Sequence, residues 1–154
     1  MKAFIVTVFL CAFLTSCTAV KDTVPVQILA ASLGEEIEGF ENLAEASTDY
    51  IKYCMSSDLS LYSEYIVLYT FAGTEYNEIG IFKVKNTSDT KAGAKEAERY
   101  LKFKKDNWDN RYRGDESKKI ENAKVTVLCN YILYNVLEEK EASMVTKKFQ
   151  SLLK

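Results

Sequence analysis

The residues of this chain that could do chemistry are few, and the first of them is a cysteine. Cys17 closes the stretch Phe13-Leu14-Thr15-Ser16-Cys17 after a charged start, Met1-Lys2, and an uncharged run from Ala3 to Leu14. A basic start, an apolar stretch of about 7–15 residues and a small-residue exit describe a secretory signal segment. The final "LTSC" has the form of a bacterial lipobox: an aliphatic residue, two small residues, then cysteine. The small pair lets an extended segment enter a signal peptidase, and the cysteine sulfur becomes the point of acylation. Each buried methylene contributes about 0.8 kcal/mol and one chain alone binds reversibly, so two or three chains on one residue hold firmly. The competing readings are a plain cleaved signal and a retained membrane helix. The uncharged run ends at Val20, at the short edge of a span.

The other chemistry is thinner. The chain contains no histidine. Histidine general bases, serine–histidine and cysteine–histidine nucleophile pairs and histidine-containing zinc sites are therefore absent. Cys54 and Cys129 lie in apolar stretches; they are either a disulfide closing a long loop or two isolated buried thiols. Two thiols without histidine make no metal site, and no cofactor is expected, since neither GxxxxGK nor GxGxxG occurs. Adjacent carboxylates such as Glu35/Glu36 and Asp115/Glu116 read as solvated surface. Arg113-Gly114-Asp115 matches an adhesion tripeptide only by letter.

Tyrosine is abundant, with ten copies around the expected strands and helix ends. Such rings pair an apolar face with a hydroxyl and suit a binding groove or a hydroxyl-edged core. Tyr65, Tyr69, Tyr131 and Tyr134, with Lys95, Arg99 and Lys102 on one helix face, are the candidate contact surface. Charge is uneven: residues 17–78 carry two lysines against eleven acids, and residues 79–154 carry seventeen basic residues against eleven acids. The two halves can neutralise each other within one fold, or a basic face can meet an anionic surface. An envelope location argues against nucleic acid as the partner.

These residues need elements to hold them. The spacing predicts residues 1–16 as the signal, 17–24 as a tether and 25–154 as one domain. Val26, Leu29, Leu33, Ile37, Phe40 and Ala44 recur at helical spacing, predicting a helix over Val26–Ala46. A short helix is expected over Asp49–Met55. Tyr65–Phe71 and Asn77–Asn86 read as a hairpin of strands, each with apolar groups on both faces. Residues 87–112 read as a second long helix and residues 113–122 as a charged loop. Residues 123–129 and 131–137 read as a second hairpin, and residues 138–154 as a closing helix. The expected class is α+β, a four-stranded, mostly antiparallel sheet of two hairpins with helices packed on it, in the order α-β-β-α-β-β-α.

The strand "NEIGIFKVKN", the alanine- and lysine-rich helix ending in Trp108, the lipobox and the late strand "NYILYNVL" together resemble a family of small bacterial lipoproteins. That family is classed as a domain of unknown function and is found mostly in Firmicutes-type bacteria. The resemblance spans about Val26 to Lys154 and implies no activity or site residues. One departure is Cys129-Asn130, where a glycine turn would be expected; asparagine tolerates the left-handed conformation. The expected function is a non-catalytic, lipid-anchored extracytoplasmic module that meets an envelope protein, peptide or wall component. The alternatives are an envelope hydrolase using paired carboxylates or a serine with lysine, and a structural accessory of a secretion or sporulation complex.

Overall fold

A computed structural model describes residues 21–71, 75–109 and 116–154. The signal segment, Cys17 and the Arg113–Asp115 tripeptide lie outside the described residues.

Five strands form one antiparallel sheet in the order β1-β2-β3-β5-β4. They are β1 (Leu43–Glu45), β2 (Tyr62–Thr70), β3 (Glu78–Val84), β4 (Lys124–Leu128) and β5 (Tyr131–Val136). Both expected hairpins form, β2 with β3 and β4 with β5, and they join through β3 and β5 at the centre. The helices are α1 (Val26–Gly34), α2 (Thr90–Asn107), α3 (Ser117–Asn122) and α4 (Glu139–Leu153).

Two expectations are corrected. The sheet has five strands, not four, because the helix expected over Val26–Ala46 ends at Gly34. The Phe40 ring folds back onto Gly34 so closely that a β-carbon there would lie 2.4 Å from it. That reversal turns the chain through a 3-10 turn and delivers Leu43–Glu45 to the edge of β2. In addition, part of the expected charged loop is helical, as α3. The element order is thus α-β-β-β-α-α-β-β-α, apart from single turns.

Helices cover both faces of the sheet, and the apolar groups on both sides of "EIGIF" have that cause. On one face Ile66, Ile79, Ile81 and Leu133 pack against Val26, Leu29 and Leu33 of α1 and Val145, Phe149 and Leu153 of α4. On the other, Tyr62, Val67, Phe82, Ile132, Tyr134 and Val136 meet Ala97, Tyr100 and Leu101 of α2 and Ile120 of α3. Period-two alternation sends successive strand residues to opposite cores, and an irregularity between Tyr62 and Glu64 resets the phase within β2.

The start of the described chain is tied to the domain. The Lys21 N–H donates to the Leu153 carbonyl at 2.8 Å, and the Tyr131 hydroxyl to the Val24 carbonyl at 2.8 Å. Lys83 Nζ donates to the Asp22 carbonyl at 2.6 Å. Among the described residues no helix is long and apolar enough to cross a membrane.

Candidate functional site

The residues with the most chemical potential converge beneath α2. Glu78 opens β3 and is fully buried. Two residues along the same face, Gly80 pairs with Tyr134 of β5. A β-carbon on Gly80 would lie 2.1 Å from the Tyr134 ring, so glycine is what lets that ring lie across the neighbouring strand. Its hydroxyl then donates to Glu78 Oε1 at 2.7 Å. The other carboxylate oxygen accepts from the Tyr76 hydroxyl and sits 2.9 Å from Lys104 Nζ. Lys104 Nζ also donates to the Tyr76 hydroxyl and lies 4.6 and 4.9 Å from the ring centres of Tyr76 and Tyr100. The ammonium is thus held by a carboxylate and two π faces.

The network runs outward through aromatic contacts. The Tyr100 ring meets Tyr134 edge-on at 5.7 Å, and its hydroxyl shares a hydrogen bond of 2.9 Å with that of Tyr50. Tyr50 stacks on Tyr69, with ring centres 5.3 Å apart. Burial first, and the nearby Glu78 charge second, hold the Tyr100 and Tyr134 hydroxyls well above the usual phenol range. The same two causes push Tyr50 up to about 12. These phenols stay protonated, as donors.

Over this network lies a surface groove of about 470 Å³ between α2 and the π-helical turn Tyr50–Cys54. Its lining is Tyr53, Cys54, Met55, Ser56, Arg99, Tyr100 and Phe103. Tyr53 and Phe103 are 66% and 57% exposed, large aromatic surfaces left to solvent. Met55 N–H closes the wide turn on the Tyr50 carbonyl at 3.1 Å, and Ser56 follows at a left-handed φ of 54°. Arg99 reaches across from α2 to donate to the Ser56 carbonyl at 2.6 Å, which joins the two walls. π-Helical turns of this kind often sit at functional sites.

A second opening, of about 530 Å³, lies at the far end of the sheet and is acidic. Glu35, Glu36, Glu38, Glu75, Glu138 and Glu141 line it, with Glu116, Lys119 and Lys140. Glu116 and Lys119 are buried and 2.8 Å apart. Glu116 also accepts from the Tyr76 N–H at 2.8 Å, and Lys119 donates to Asn77 Oδ1 at 3.1 Å. Lys148 meets Glu35 at 2.6 Å and Glu36 at 3.0 Å, and that partner holds the Glu35 carboxyl below its ordinary value. Among the described residues, no three His, Cys, Asp or Glu side chains are grouped to hold a metal ion.

The residues expected to make contacts separate. Tyr131 and Tyr134 are fully buried and cannot touch a partner; Tyr131 lies under Lys83, 5.2 Å from the ring, and Tyr134 serves Glu78. Tyr65 and Tyr69 are half-buried against the α2-side core. Lys95, Arg99 and Lys102 are exposed; only Arg99 lines the groove, while Lys102 pairs with Asp106 at 2.5 Å. The Cys54–Cys129 bridge does not form: Cys54 is a free, exposed thiol. Cys129, at φ 51° in the β4–β5 turn, is bonded in a disulfide to another cysteine.

The sequence did carry one signal for the buried pair. Lys104 falls on the inward stripe of α2 with Ala97 and Leu101, and Glu78 heads an otherwise apolar strand. A charge in each of two buried stripes calls for a partner.

A sheet with helices on both faces, an aromatic groove and a buried polar network make up an α+β fold among the described residues. The chain belongs to the family described as "Domain of unknown function (DUF4358)", which matches residues 38–137. No curated protein and no solved structure matches it. The matched residues span all five strands, α2, the groove and the buried network, and leave out α1 and α4.

Proposed function

We propose that this protein is an extracytoplasmic lipoprotein, held at the cell membrane by acyl chains on the Cys17 sulfur, whose folded domain is a non-catalytic binding module for an envelope protein, peptide or wall component. The observation that carries the binding reading is the groove beside α2: two exposed aromatic rings and a guanidinium surround a floor of Met55 and Tyr100. Aromatic faces with one fixed cation suit an extended ligand that has apolar groups and a carboxylate. The hydrolase alternative would have to use the acidic opening. There, Glu116 and Lys119 already spend their hydrogen bonds on each other, Tyr76 and Asn77.

The anchor is tested by fractionation and by the mass of the membrane form. Cys17→Ala is expected to release the protein from the membrane and to abolish acyl incorporation; unchanged retention would overturn the reading. Thiol counting adds an independent check. Acylation consumes the Cys17 sulfur and cleavage removes Cys11, so the acylated mature chain is expected to carry Cys54 and Cys129 as two free thiols, and a Cys129 still held in an intramolecular disulfide, with Cys54 free, would overturn the anchor. The groove is tested by placing a photo-crosslinking residue at Phe103 and, as control, at Lys147. Adducts of defined mass from the first position alone, lost with Arg99→Ala, support binding at the groove; equal yields at both positions would refute it.

A further inference from the structure

We propose that the domain stands on the membrane in one orientation: the end carrying the β4–β5 turn, the start of α2 and the C-terminus rests on the lipid surface, and the acidic opening faces away. This rests on the Cys17 anchor and goes beyond it, because an anchor alone leaves a domain free to tumble.

The geometry comes from the strap. Lys21 is bonded to Leu153 at the end of α4, and Asp22 to Lys83 near the end of β3. Asn130 Nδ2 in the β4–β5 turn donates to Asp22 Oδ1 at 2.5 Å. The Val24 carbonyl accepts from Tyr131, and the Val26 N–H donates to Glu64 at 3.0 Å. Five attachments tie the strap to one end of the sheet. From Cys17 to Lys21 there are only four residue steps, at most about 14 Å of fully extended chain. An acylated Cys17 lies at the headgroup level, so the strapped end cannot stand further than that from the bilayer.

The two ends differ in charge as well. Exposed Lys21, Lys85, Lys91 and Lys154 lie at the strapped end together with exposed Asp22 and Asp58, since Thr90 bonds the Cys129 carbonyl and Lys85 the Leu61 carbonyl, so this end carries both signs. The opposite end bears the acidic opening between α1 and α4. α2 runs between the ends for 18 residues, about 27 Å. An anionic leaflet repels the glutamate end within a Debye length and meets mixed charge at the strapped end, so the field and the strap favour the same orientation.

Trp108, the sole tryptophan, follows α2 at the far end and reports on this directly. The natively acylated protein, purified from membranes, is reconstituted into anionic vesicles that contain a dansyl-headgroup lipid. Energy transfer from Trp108 is expected to be weak. In Trp108→Phe/Lys91→Trp, with the donor moved to the strapped end, it should rise several-fold, and a ten-residue Gly/Ser insertion after Val20 should erase that gain. Equal transfer from both positions, or stronger transfer from Trp108, would overturn the orientation while leaving the anchor intact. Failure to join vesicles at all would overturn the anchor and this inference with it. Hydrogen exchange of the unsubstituted protein, vesicle-bound against detergent-bound, gives the same answer without a variant: protection should concentrate over residues 83–91 and spare residues 138–144. Protection of the acidic end instead would count against it.

Discussion

The two faces of the sheet bury comparable numbers of side chains in opposite ways. Beneath α1 and α4 the core is dry and largely aliphatic, with Phe149 at its centre and Tyr131 at its edge. Beneath α2 it is built from Tyr62, Tyr76, Tyr100, Tyr134 and Phe82 around an ion pair. The dry face gains its stability from transfer out of water and is tolerant of detail. The polar face is not, because the Glu78–Lys104 pair must recover the cost of dehydrating two charges through hydrogen bonds and ring contacts. Such pairs are often no better for stability than apolar replacements. We read this one as fixing α2 in a single register, which sets Tyr100 under the groove and Arg99 opposite Ser56.

The contrast can be broken from either side. The largest loss is expected from the dry face: Phe149→Ala should lower stability by about 4 kcal/mol in denaturant unfolding, by leaving a cavity in a rigid layer. On the polar face Lys104→Met should cost about 3 kcal/mol, because an unpaired carboxylate stays buried. Adding Glu78→Gln to it should recover much of that loss. A double variant no more stable than the single would show that the two groups do not act as a unit.

High pH sharpens the comparison. Tyr50, Tyr62, Tyr100 and Tyr134 all have hydroxyls raised by burial, Tyr50 to about 12. Below the ordinary phenol value of ~10 both folded and unfolded chains keep these protons and the contribution to stability is full. Between about 10 and about 12 the unfolded chain ionises first, so stability must fall as pH rises. Tyrosinate absorbance should therefore climb in two steps, the second coinciding with loss of the circular dichroism of the fold. A single early step would show that the α2 layer is open to water. The smallest effect is expected at the surface: Lys102→Ala removes only an exposed i,i+4 pair with Asp106 and should change stability by no more than about 0.5 kcal/mol.

How far these features are visible in the sequence depends on what each one needs. Tyr62–Thr70, Glu78–Val84 and Tyr131–Val136 are rich in β-branched and aromatic residues, and their hairpins are legible from composition and turn spacing. β1 is not: Leu-Ala-Glu has helical propensity, and only the Phe40 reversal onto Gly34 brings it to β2. α3 hides in a charged stretch because its buried residues are Ile120 and a paired lysine, Lys119. The candidate site divides likewise. Arg99 is legible as an exposed cation on a helix face, and the tyrosine count announces aromatic packing. Which tyrosines face water is not, since Tyr131 and Tyr134 share their letter with Tyr53 and differ from it only in what lies over them.

The sequence by itself determined the periodicities: which residues alternate into strands, which stripe a helix, and that histidine chemistry is absent. Those are local properties, set by side-chain type and backbone geometry within a few residues. Only the tertiary structure decided that Glu78 would meet Tyr134 and Lys104, that Gly34 would end a helix, and that Asp22 would be strapped beside Lys83. Each of those pairs side chains from different elements across the sheet or a turn, and their free energy comes from burial and hydrogen bonding that exist only once the layers have closed.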